Sequence, residues 1–86
     1  MSAYRWLNLK TIKAYEQEME RLGVSQVARS RRGFLTAYKR AGGDRRKLPD
    51  KWVKLRDAFI ARHLAQYRIN PTYRRKLALI AWAYMP

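Results

Sequence analysis

The chain has 86 residues, no cysteine, 20 Lys and Arg against six Asp and Glu, and a formal net charge of +14. The missing thiols exclude disulfides and thiolate metal sites, and the length predicts one basic domain over 1–86 with a small core. With 48% hydrophobic and 13% aromatic residues, the chain is built to fold despite its charge.

Leu9, Ile12, Tyr15, Met19 and Leu22 recur at spacings of three and four. They predict an amphipathic first helix over about 8–22, stopped by Gly23. The stripe Ile12, Tyr15, Met19 and Leu22 packs either on the core or on a second copy, which makes it the candidate homo-oligomer seam. Four Lys/Arg against three Glu leave residues 1–22 at +1, so the other 64 carry +13. The N-terminal stretch lacks the apolar centre of a secretory leader. The most apolar run, 77–85, falls far short of the roughly 20 residues needed to span a bilayer. A soluble, intracellular protein with no membrane partner is expected.

Ser25 is a candidate N-cap for a short turn through VSQVAR, and Ser30 for a further helix carrying Phe34, Ala37, Tyr38 and Ala41 on one face. Gly33 reads as a helix start or kink, or as a point of close backbone approach to a ligand. Gly42-Gly43 ends this element, and Asp44 to Lys47 forms a short basic loop. A long helix follows over about 49–68, opened by Pro49 and Asp50. It has Trp52, Val53, Leu55, Phe59, Ile60, Leu64 and Tyr67 on one side and Ala58, Ala61 and Ala65 on another. Apolar or small on two sides, it is expected at the centre of the fold. Arg56 and His63 fall within its apolar arc, either packing their stems with polar ends reaching a partner or the rim, or forming a functional pair at a groove floor with Trp52 or Phe59 alongside. Asn70 and Pro71 open a last helix over about 71–84, closing an αα-hairpin. The fold class expected is all-α, a bundle of four to five short helices.

The segments VARSRRGFLTAYKRAGGD, KLPDKW, FIARHLAQ and ALIAWAY resemble short uncharacterised basic proteins of large DNA viruses and phages. The resemblance covers residues 24–86 and brings no functional residue with it. It implies a virus-encoded protein acting near a genome in the host cell or in the virion.

No enzyme is expected. The chain has one His, no Cys, no phosphate-binding loop and no metal-ligand spacing, so neither cofactor nor metal is expected. The basic residues carry the signal. Residues 29–54 hold ten Lys/Arg against two Asp. Arg31 and Arg32 follow the Ser30 cap, and Arg74, Arg75 and Lys76 fill the first turn after Asn70-Pro71. Cations at the positive end of a helix dipole oppose stability but suit phosphate. Arg29, Arg31, Arg32, Lys39, Arg40, Arg45, Arg46, Lys47, Lys51, Arg74, Arg75 and Lys76 are therefore the candidate nucleic-acid contacts. The two helix starts are expected to open onto one groove. The residues from Leu22 to Val27 resemble the turn of a helix-turn-helix, but Arg29 to Arg32 stand where its second helix needs apolar positions. The aromatics are assigned mainly to packing, with stacking on bases as the alternative.

The expected function is non-enzymatic binding of nucleic acid through its backbone, DNA ahead of RNA, with little sequence preference. Compaction, packaging or architectural support are the jobs this suits. The alternative is a virion component or inhibitor docking its basic face on an acidic protein, and a membrane-surface binder is a third reading.

Overall fold

Asn8 caps the first helix, its Oδ1 accepting from the Thr11 N–H at 2.8 Å. In the computed structural model, which describes residues 4–86, helix α1 then runs Leu9–Leu22. Gly23 ends it in left-handed backbone at φ 65, and the Gly23 and Val24 N–H groups turn back to the carbonyls of Glu20 and Met19. After it come α2 (Gln26–Arg29), α3 (Phe34–Arg40), a 3-10 turn (Arg45–Lys47), α4 (Asp50–Ile69) and α5 (Tyr73–Ala81). The protein is all-α, with no strand among the described residues.

Several boundaries differ from expectation for local reasons. Ser25 sits in left-handed backbone and makes no capping bond. Ser30 closes α2 instead of opening α3, its hydroxyl donating to the Val27 carbonyl at 2.6 Å. Gly33 caps α3, so Arg31 and Arg32 lie in the turn ahead of that helix and outside its first turn. A Cβ on Gly33 would stand 2.1 Å from the Val27 oxygen and 2.3 Å from that of Ala28. The close approach is thus to the chain's own backbone. α2 is a single turn with Val27 81% exposed, so no recognition helix follows the helix-turn-helix-like turn. Asn70 caps the end of α4, and α5 starts after Thr72, whose Oγ1 accepts from the Arg75 N–H at 3.2 Å.

The centre of the fold is α5, not α4. Leu77, Leu79, Ile80 and Ala81 are all buried, and α5 packs against both α1 and α4. Helix α4 buries one face only: Ala58, Ala61 and Ala65 are exposed among Lys54, Arg62 and Arg68. Small residues flanked by charges find water there instead of a second helix. On α1, Ile12 and Met19 are fully buried and Tyr15 and Leu22 pack beside them. The stripe thus packs on the core of its own chain.

Aromatic rings fill the middle. Phe34 and Phe59 both stack on Trp82, with centroids at 4.8 and 4.7 Å, and Tyr38 stacks on Phe34 at 5.8 Å. The Tyr38 hydroxyl donates to the Leu7 carbonyl at 2.9 Å, tying the segment before α1 to α3.

Arg56 lies beneath, with 0% of its surface exposed. Its guanidinium donates to the carbonyls of Trp82 (3.0 Å), Ala83 (2.9 Å), Arg5 (2.6 Å) and Tyr4 (3.4 Å), and to the Asp57 carboxylate (3.1 Å). Its carbon lies 3.8 Å from the Trp6 ring centroid. Burial lowers its pKa to about 10, partly opposed by Asp57, and it stays charged at neutral pH. A buried charge of this kind is tolerated because its donors meet acceptors. The Ala83 carbonyl also accepts from the Leu7 N–H at 2.8 Å, so one small region joins both ends of the described chain.

Arg56→Met is expected to lower stability by about 3–5 kcal/mol, since it takes a donor from four carbonyls at once and leaves that of Ala83 only the Leu7 N–H. Chemical denaturation followed by circular dichroism checks this, and an effect under about 1 kcal/mol would show those carbonyls to be otherwise satisfied. Gly33→Ala is expected to cost about 1–3 kcal/mol by forcing α2 and α3 apart. The same unfolding measurement reads it, and an unchanged midpoint would contradict the close approach.

Candidate nucleic-acid interface

The basic residues divide by what their side chains touch. One group is committed to main-chain carbonyls. Arg29 donates to the carbonyls of Val24 (3.1 Å) and Met19 (3.5 Å), and Arg74 donates to that of Leu22. Both sit at the C-terminal end of α1, the negative end of its dipole. Arg75 donates to the Asn70 carbonyl at 2.9 Å, at the C-terminal end of α4. Arg74 thus reaches the end of α1, while Arg75 turns back to the α4–α5 junction just ahead of its own helix. Lys76 is half-buried, its ammonium 5.9 Å from the Tyr15 ring centroid.

A second group is paired with acids. Lys39 meets Glu16 at 2.5 Å, and Arg46 meets both oxygens of Asp44 at 3.1 Å. The hydrogen bonds from Arg46 hold the Asp44 carboxyl below its usual range.

The third group is free. The exposed side chains of Arg31, Arg32, Arg40, Arg45 and Lys47 make no hydrogen bond or ion pair among the described residues. Lys51 holds its ammonium 5.6 Å from the Trp52 ring centroid. Four of these free cations gather round Trp52 in two adjoining hollows that share Ala37, Arg40 and Trp52. One, of about 260 Å³, adds Arg31, Arg32 and Gly33, and the other, of about 290 Å³, adds Ala41, Lys47 and Pro49. Together they form a cleft between α3 and the start of α4. Its lining includes no carboxylate.

A separate hollow of about 280 Å³ is lined by Gly23, Val24, Ser25, His63, Gln66, Arg74, Arg75 and Ala78. It shares no residue with the Trp52 cleft, so the two basic groups do not form the single groove expected. His63 stacks on Phe59 at 3.9 Å, and partial burial, with Arg62 and Arg75 adding to it, pushes its pKa down. Arg56 is closed inside the core, so it makes no functional pair with His63 at a groove floor.

Trp52 was expected in packing, beside an Arg56–His63 pair or stacked on a base; its place among Arg31, Arg32, Arg40 and Lys47 was not, although Lys47 and Lys51 just before it were a usable signal. The carbonyl-bound arginines had no such signal. No group of His, Asp or Glu among the described residues is placed to hold a metal ion, and no helix there is long and apolar enough to cross a membrane. Compared with known proteins, the chain matches no family model, no curated sequence and no solved structure.

The depressed His63 pKa sets a pH dependence. The folded state binds its proton less readily than the unfolded chain, whose value is near 6.5. The stability it contributes is complete above that pH and is lost as pH falls through the lower folded value. Unfolding midpoints are expected to drop as pH falls below about 6.5, and to drop less in His63→Gln. Identical pH slopes for the two proteins would contradict this.

Proposed function

We propose that the protein binds nucleic acid through its phosphate backbone at the Trp52 cleft, without catalysis and with little sequence preference. The observation that carries this reading is the set of four cations, Arg31, Arg32, Arg40 and Lys47, without a hydrogen bond or ion pair among the described residues, around one half-buried aromatic ring. Holding like charges together costs energy unless an anion relieves it. Arginine's forked donors match phosphate oxygens. Arg45 and Lys51 extend the same surface, whereas Arg29, Arg74 and Arg75 act mainly in the fold. The resemblance to proteins of DNA viruses favours DNA over RNA, and compaction, packaging or architectural support of a genome as the role.

Four phosphate contacts give a log–log salt slope of about −3 to −4, which is about a 10²-fold loss of affinity between 50 and 200 mM salt. Fluorescence anisotropy with labelled single-stranded and duplex DNA measures it. The triple variant Arg31→Glu/Arg32→Glu/Arg40→Glu is expected to bind far more weakly and to flatten the slope by about one unit per lost contact. Salt-independent binding, or a triple variant that binds as the parent does, would overturn the reading. Association with an acidic protein that persists after nuclease treatment would replace it.

A further inference from the structure

We propose that Trp52 is a stacking platform for an unpaired nucleobase, so that the cleft takes single-stranded nucleic acid ahead of duplex. This rests on the nucleic-acid reading above and adds the kind of strand.

Three features of the cleft point to it. Trp52 is half-buried, while Phe34, to which it packs edge-on at 6.1 Å and 63°, is fully buried. Phe34 is itself stacked on Trp82, and Trp82 on Phe59. The indole is therefore held by the core before any ligand arrives, and little side-chain entropy remains to be lost on binding.

The charges then flank the ring. Arg31 and Arg32 line one hollow, Lys47 the other, and Arg40 both, with Trp52 common to the two. A ring between cations matches a base between successive phosphates of one strand. In a duplex the bases face inward and stay stacked, so a base reaches such a cleft only by unpairing and flipping out. Phosphates of a duplex still meet the cations, which leaves duplex binding weaker but present.

The lining also explains tolerance of sequence. It holds no Asn, Gln, Asp or Glu to pair with a base edge, and Ala37, Ala41 and Pro49 supply only apolar surface. Every base offers a π face, so stacking accepts all four. A carboxylate-bearing protein partner would use the cations and leave the ring without a role.

The test compares Trp52→Phe, which keeps a ring, with Trp52→Leu, which keeps apolar bulk against Phe34 without one. Circular dichroism establishes that each is folded. Anisotropy with a labelled oligothymidylate and with a duplex of the same length reads binding. The parent protein is expected to favour the single strand at least tenfold. Trp52→Leu is expected to lose about tenfold more on the single strand than on the duplex, and Trp52→Phe to stay close to the parent on both. Equal affinity of the parent for both strands, or a Trp52→Leu loss that is absent or equal on both, overturns the stacking platform while backbone binding stands. Failure of the parent to bind either oligonucleotide removes the nucleic-acid reading itself.

Discussion

Arginine bound to main-chain carbonyls is the interaction on which this structure depends. Twenty cations and six acids cannot neutralise one another by ion pairs. Carbonyl oxygens take up part of the excess. Arg29 and Arg74 satisfy the end of α1, Arg75 the end of α4, and Arg56 four carbonyls near the two ends of the described chain. Each helix C-terminus has unsatisfied carbonyls and partial negative charge, so a guanidinium there answers both needs. The positive charge thus serves as capping material as well as surface. Of the cations not used in this way, Arg31, Arg32, Arg40 and Lys47 gather around Trp52.

The helices were legible in the sequence because apolar spacing and glycine or proline punctuation act locally. Gly23, Gly42-Gly43 and Pro49 mark ends that depend on a residue's own backbone preferences. The starts of α3 and α5 were not legible. Ser30 and Asn70 are good caps in isolation, but each is held at the end of the preceding helix, and Gly33 and Thr72 take the opening position. The choice is made by neighbouring backbone, which a one-dimensional reading cannot see. The same limit placed α4 at the centre. Periodicity counts apolar and small residues but does not say which face meets a partner, and the alanine side of α4 meets water.

The site divides in the same way. That charge is dense between residues 29 and 54 was plain from the sequence. Which cations are committed was hidden, because a carbonyl acceptor leaves no mark on the sequence, unlike the acids Glu16 and Asp44 that engage Lys39 and Arg46. Arg74 and Arg75 looked like the better phosphate ligands, yet their reach takes them to neighbouring helix ends. Arg31 and Arg32, displaced from α3 into the turn ahead of it, remain available. The proposed interface is therefore smaller than the total charge suggests, and it is centred on an aromatic ring.

The buried guanidinium of Arg56 has a kinetic consequence. Its carbonyl partners lie 26, 27, 51 and 52 residues away in sequence. Contacts so distant close costly loops, whereas the turns of α2, α3 and the α4–α5 hairpin form from near neighbours. The clasp is accordingly expected to shut last, on helices already collapsed. An interaction made after the main barrier governs the rate of escape from the native state more than the rate of reaching it. Arg56 would then act as a latch: it sets how long the folded molecule persists between openings and leaves the speed of assembly to the aromatic core.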